Sequence, residues 1–100
     1  MKNQKQNPGD IIPELIETCG ILSEALRGND EEKANETVTI MLMQAVNFLG
    51  LDSPLMEHLF PPMDMIRRRL EDGNVDGALG QTEVFEAQLH EIRDLVKKRS

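Results

Sequence analysis

The stretch DIIPELIETCGILSEALRGND, residues 10–30, holds the complete pattern of one helix and decides the fold class. Its apolar residues follow the 3.6-residue spacing of a single helix face: Ile12, Leu15, Ile16, Cys19, Leu22 and Leu26. Asp10 is placed to cap the start, because its carboxylate can accept a bond from a free first-turn N–H. Gly28 and Asn29 suit the left-handed conformation in which helices commonly end. The stretch therefore predicts a helix with both ends defined.

Three further helices follow with similar start and stop signals. Asn29 or Asp30 can cap a second helix, which continues to about Leu51. Ser53 is a cap residue followed by proline at the first helical position, so it starts a third helix. The turn at residues 72–74 ends that helix and caps a fourth, which runs to residue 99.

The third helix contains Pro61 and Pro62, neither of which has an N–H to donate. Its apolar spacing continues across them, which predicts a helix kinked at this point or two short helices in register. The whole pattern predicts an all-α fold, a four-helix bundle-like array of two helical hairpins at residues 10–51 and 53–99. Residues 1–9 are predicted to form a disordered tail, and residues 10–100 a single domain.

The two predicted hairpins resemble each other when the chain is shifted by 44 residues. This shift aligns the predicted core positions in ten pairs: Ile12 with Met56, Leu15 with Leu59, Cys19 with Met63, Leu22 with Ile66, Leu26 with Leu70, Ala34 with Ala78, Val38 with Thr82, Met41 with Phe85, Ala45 with Leu89, and Phe48 with Ile92. An internal duplication would produce this match. Any two amphipathic hairpins of similar length would also match apolar with apolar, because both obey the same helical period.

Composition excludes several classes of function. The net charge of −7 disfavours nucleic acid and anionic membranes, which need clustered Lys and Arg. The longest stretch without a charged residue, 37–51, is too short and too polar to span a bilayer. Cys19 is the only cysteine, and the N-terminus lacks the apolar segment of a signal peptide. We expect a soluble cytoplasmic protein without cofactors.

No catalytic or nucleotide-binding motif is present, and the sequence predicts no enzyme activity. Glu83, Glu86 and His90 are the weak candidates for a metal site, because Glu86 and His90 have an i,i+4 spacing that can grip a metal ion. Their helical angle lies well off the apolar stripe, and the 44-residue shift supplies no second histidine. A solvated Glu–His contact is the favoured interpretation.

The second helix has more apolar surface than a small bundle needs. Beside its core stripe it carries Ile40, Met43 and Val46 on other sides. Either this helix is central and touches the other three, or it forms an interface, most often with a second copy of the chain. We favour the homodimer, with Ile40, Met43, Val46 and Asn47 as the interface residues. Exposed methionine would also suit an adaptable partner surface.

The predicted function is that of a non-enzymatic, acidic, helical protein–protein interaction domain, homodimeric and able to accept another protein's amphipathic helix. In size, acidity and helical hairpins the chain is similar to small bacterial export chaperones and adaptors, a likeness of general shape that rests on no motif. The alternative is a metal- or small-ligand-binding domain that uses Glu83, Glu86 and His90. An enzyme subunit completed by another chain is a third interpretation.

Overall fold

A computed structural model describes residues 8–99, and within that range the chain contains helices and no strand. A 3-10 turn at Pro8–Asp10 leads into α1 (Ile11–Arg27), α2 (Glu31–Leu49), α3 (Pro54–Glu71) and α4 (Val75–Arg99). The all-α prediction is confirmed. Of the tail predicted at residues 1–9, residues 1–7 lie outside the described part, and residues 8–9 belong to the 3-10 turn.

The four helices form a closed ring. Helix α1 packs against α2 and α4, and α3 packs against the same two helices, while the diagonal pairs hardly touch. Helix α2 therefore packs against two neighbours, and the interpretation that it is enclosed by the other three is wrong. We call α1 and α2 hairpin one, and α3 and α4 hairpin two. In the ring, α1 of hairpin one is equivalent to α3 of hairpin two, and α2 is equivalent to α4.

The core lies along the axis of the ring, and the predicted apolar stripes all face it. Phe85, Met41 and Leu89 are fully buried, as is Cys19, whose Sγ lies 3.8 Å from the Sδ of Met41. Burial, with a smaller contribution from the charge of Glu86, raises the pKa of the Cys19 thiol to about 12. A thiol without thiolate character is not a nucleophile, so this cysteine is a core residue.

Three of the four predicted caps are present. The side chains of Asp30, Ser53 and Asn74 accept bonds from the amides of residues 33, 55 and 77 at 3.1, 3.3 and 2.9 Å. The prediction for Asp10 is wrong, because its side chain makes no capping bond. Its backbone is helical (φ −68°, ψ −21°), and the preceding 3-10 turn continues directly into α1. Residues that cap a helix with their side chain typically have a non-helical backbone, which Asp10 does not have.

Helix α3 is one continuous helix that contains both Pro61 and Pro62. The two missing N–H groups leave the carbonyls of Glu57 and His58 without their usual partners, since these lie four residues earlier. Both of these residues are exposed, so water can solvate the free carbonyls. Of the two arrangements predicted from the sequence, two separate short helices are therefore not observed.

Candidate protein-interaction surfaces

The metal-site candidates do not converge. Glu83 pairs with Arg27 of α1 at 3.3 Å, while Glu86 pairs with His90 along α4 at 3.9 Å. Within residues 8–99, no group of three or more His, Cys, Asp or Glu side chains could hold a metal ion. Glu83 is directed to the seam between α4 and α1, so it is not available to a ligand set centred on His90.

The predicted interface residues of α2 divide into two groups. Ile40 and Met43 are 51% and 56% exposed, and Asn47 is exposed one turn further on, so these three form a strip at i, i+3 and i+7. We call them the α2 strip. Val46 is only half exposed and packs against the core, so it flanks the strip.

The two hairpin turns share their geometry at the 44-residue offset. The second residue after each helix end is left-handed, Asn29 with φ 60° and Gly73 with φ 74°. The next residue, Asp30 or Asn74, donates its amide to the carbonyl five positions earlier at 2.9 or 2.8 Å. It then caps the following helix with its side chain. Both turns are Schellman motifs fused to an N-cap, a match that helical periodicity alone does not require.

Burial repeats with the same offset. Every one of the ten aligned core pairs shares its burial class, nine pairs being buried and the pair Phe48 and Ile92 half-buried. Large apolar residues on the outside also coincide, and six of the eight exposed ones in the described range form three pairs: Ile21 with Met65, Ile40 with Val84, and Leu51 with Leu95. A periodic core does not dictate which outer positions are apolar. The two hairpins are therefore structural repeats on their inner and outer faces.

Each hairpin has a groove between its two helices, and the two grooves lie at equivalent positions. The hairpin-one groove is lined by Ile11, Glu14, Gln44, Asn47 and Phe48. All five positions recur 44 residues later in the hairpin-two groove, which is lined by Leu55, His58, Leu59, Phe85, Gln88, Glu91, Ile92 and Leu95. The first has a volume of about 250 Å³ and the second of about 360 Å³.

The difference between the grooves arises at the ends of α2 and α4. Helix α2 stops before Gly50, whose φ of +81° turns the chain away, and Leu51 lines a separate depression with Phe60 and Pro61. Helix α4 continues through the equivalent position, so Leu95 stays on the helix and extends the wall of the hairpin-two groove. In hairpin one, a bond from the Thr18 hydroxyl to Gln44 Oε1 (2.9 Å) also ties the two helices together.

The outer faces of the two hairpins differ in charge. Residues 37–51 of hairpin one carry no charged side chain. The equivalent residues 81–95 carry four acids and one arginine, and they replace Asn47 of the α2 strip by Glu91. The apolar part is less different than the sequence suggests, because Val84 is 54% exposed where Ile40 is 51% exposed. Charge, more than apolar content, distinguishes the two faces.

The residues that sequence reasoning missed are those that line the hairpin-two groove. In the sequence pattern, Leu55, Phe85 and Ile92 occupy positions typical of a core, and Leu95 occupies a position typical of the surface, whereas all four line the groove. The groove depends on how far apart α3 and α4 lie, which periodicity within one helix does not determine. One feature of the sequence could have predicted the difference between the two grooves. A glycine, Gly50, ends α2, whereas the equivalent residue 94 of α4 is not a residue that ends helices.

Comparisons with protein-family models, with curated proteins and with solved structures each found no significant match to this chain. Among the described residues, no helix combines the length and the apolar character needed to cross a lipid bilayer.

Proposed function

We propose that this chain is a small, acidic, non-enzymatic protein-interaction domain that forms a homodimer through the α2 strip and serves a cytoplasmic adaptor- or chaperone-like role. The proposal of a dimer is supported by one observation: α2 exposes apolar side chains in a stretch that has no charged residue. Ile40 and Met43 each leave more than half of their surface in water, within residues 37–51, which carry no charged side chain. Apolar surface exposed in this way is typical of an interface.

Charge favours this face over the others for self-association. Two copies of a chain with a net charge of −7 repel one another, and the repulsion is smallest where neither surface carries an acid. The α2 strip lies within residues 37–51, the longest uncharged part of the chain. A two-fold arrangement would place each strip against its counterpart, since a two-fold interface uses the same patch on both subunits.

The dimer is tested by light scattering after size-exclusion chromatography. We expect the wild type to have twice the 11.3 kDa mass of the chain and Met43→Glu to have the mass of one chain. Ala87→Glu is the matched control, because residue 87 is the exposed equivalent of residue 43 in hairpin two. It should keep the wild-type mass. A wild type that is monomeric, or a loss of the dimer in Ala87→Glu alone, would contradict the proposal.

A further inference from the structure

We infer that a depression at the start of α3 binds an arginine side chain of a partner protein, an inference that rests on the proposed role as an interaction domain and adds to it the site and the group recognised. We call it the Phe60 depression. It has a volume of about 400 Å³ and is lined by Leu51, Met56, Glu57, Phe60 and Pro61. Leu51 and Phe60 are 72% and 42% exposed, so apolar surface is open to a ligand.

The exposed ring of Phe60 is one of the features in which the two hairpins differ. Of the eight large apolar residues exposed in the described range, six form pairs at the 44-residue offset, and the two others are Met43 and Phe60. Met43 belongs to the α2 strip. The position equivalent to Phe60 holds Ile16, which is half-buried against the core. The shared fold therefore does not require an exposed aromatic ring at this place.

The wall of the Phe60 depression also contains a backbone acceptor that lacks its usual donor. The carbonyl of Glu57 would accept a bond from the amide of residue 61, but Pro61 has no N–H. Both residues line the depression, so this carbonyl belongs to its wall. In α1 the position equivalent to Pro61 is Glu17, which has an N–H. A partner group that donates a hydrogen bond to the Glu57 carbonyl would replace the missing donor.

The charges around the Phe60 depression favour a cation. Residues 34–66 contain four acids and no lysine or arginine. One of the four is Glu57, which lines the depression and has no ion pair among the described residues. The cations at residues 93–99 belong to α4, which packs against another flank of α3, where Leu55 and Leu59 line the hairpin-two groove. None of the described residues of α4 lines the Phe60 depression.

A guanidinium group matches the three polar and aromatic features of this wall. It can donate to the Glu57 carboxylate and to the freed carbonyl, because its N–H groups point in several fixed directions. It also stacks on aromatic rings, and the ring of Phe60 attracts a cation to its face. The methylene groups of an arginine would cover part of the exposed Leu51. A lysine ammonium is more strongly hydrated and does not stack, so it fits less well.

The test uses a short acetylated and amidated alanine peptide that contains one arginine. Amide NMR spectra of the isotope-labelled full chain are recorded during titration with this peptide. We expect saturable shifts of the amide signals of residues 51, 57 and 60. The same peptide with citrulline, which keeps the shape of arginine without its charge, should bind about fivefold more weakly or worse, and the lysine peptide about threefold more weakly.

Side-chain variants test the ring and the carboxylate. Phe60→Leu keeps an apolar residue but removes the ring, and it should weaken binding of the arginine peptide about fivefold. Glu57→Gln should weaken binding about threefold at low salt and less at high salt, because exposed charge pairs are screened. Glu14→Gln is the matched control, since Glu14 lines the hairpin-one groove beside Phe48 without a proline one turn later. It should leave the dissociation constant unchanged.

The two prolines test the freed carbonyl. Pro61→Ala restores the N–H that would bond to the Glu57 carbonyl, so it should raise the free energy of unfolding and weaken arginine binding about threefold. Pro62→Ala restores the bond to the carbonyl of His58, and neither of these residues lines the Phe60 depression. It should also raise the free energy of unfolding but leave binding unchanged. Urea unfolding of every variant measures the stability and establishes that the variant is folded.

Four outcomes overturn the inference. The first is the absence of saturable shifts around the Phe60 depression, and the second is equal binding of the arginine and citrulline peptides. The third is equal weakening by Pro61→Ala and Pro62→Ala. The fourth is a shift of the same signals with the concentration of the chain alone, in the wild type and in Met43→Glu, because a second copy would then occupy the depression. A monomeric wild type that binds the arginine peptide at Phe60 would remove the homodimer and leave this site intact.

Discussion

Hairpin one and hairpin two share a core and differ at their surfaces. Their turns, caps and buried positions coincide at a 44-residue offset, down to the left-handed residue that ends α1 and α3. Outside the core, hairpin one has an uncharged stretch at residues 37–51 and a short groove, whereas the equivalent residues 81–95 of hairpin two carry four acids and one arginine and its groove is longer. The features that the two hairpins share are those that the fold requires. We expect function to depend on the features in which the two hairpins differ.

The largest expected effect concerns the shared core. Met41 and Phe85 are equivalent and both fully buried, so truncation of either should disrupt the one core that the hairpins build together. We expect Phe85→Ala to lower the free energy of unfolding by about 3–5 kcal/mol and Met41→Ala by about 2–5 kcal/mol. Urea denaturation measures both. If either variant lost less than about 1 kcal/mol, the two hairpins would not share a single core.

A smaller effect concerns the turns. Gly73 has a φ of +74°, and a Cβ there would meet no other atom, so only backbone strain opposes a side chain. Gly73→Ala should cost about 1–2 kcal/mol of unfolding free energy. Gly73→Asn, which copies the residue that hairpin one uses at φ 60°, should cost less, since asparagine tolerates this conformation.

The control for the turn is Gly80→Ala. Gly80 lies inside α4 with no atom within 4 Å of an added Cβ, so the same chemical change should raise the unfolding free energy by about 0.5–1 kcal/mol. Thermal and urea unfolding should show opposite signs for the two glycines. Equal signs would mean that the left-handed turn is not the source of the cost.

A further small effect is a pH dependence specific to hairpin one, which has Cys19 where hairpin two has Met63. The folded thiol has a pKa of about 12 and the unfolded thiol one near 9.0, so the folded state retains a proton that the unfolded state has lost. Stability is therefore present below pH 9 and declines as the pH rises toward 12. We expect about 1 kcal/mol less unfolding free energy at pH 10 than at pH 7 from this group.

Cys19→Ala isolates that contribution. The variant loses packing at every pH, but its difference in stability between pH 7 and pH 10 should be smaller than that of the wild type. Urea unfolding at the two pH values measures both differences. Identical differences would show that the thiol is not the group responsible.

The sequence predicted the parts of this fold that depend on one helix at a time. The stripes of α1–α4 and the caps at Asp30, Ser53 and Asn74 follow from local spacing and local hydrogen bonding, and the structure confirms them. The exception is Asp10, where a preceding 3-10 turn removes the need for a side-chain cap.

Features that depend on two helices were harder to predict. The direction of Glu83 toward Arg27 depends on where α1 lies beside α4, and this contact separates Glu83 from His90. The hairpin-two groove likewise depends on the separation of α3 and α4. Ile40 and Met43 were predictable as surplus apolar residues, but the equivalent exposure of Val84 emerged only with the packing.

The central claim is that hairpins with the same architecture differ in association, and Ile40 and Val84 test it most directly. They are equivalent, similarly exposed and both β-branched, but only Ile40 lies within a stretch, residues 37–51, that has no charged side chain. The variants Ile40→Glu and Val84→Glu place the same acid at the equivalent position of each hairpin, and sedimentation velocity measures the association of each variant. We predict that Ile40→Glu sediments as one chain while Val84→Glu and the wild type sediment as dimers. Equal behaviour of the two variants would contradict the account.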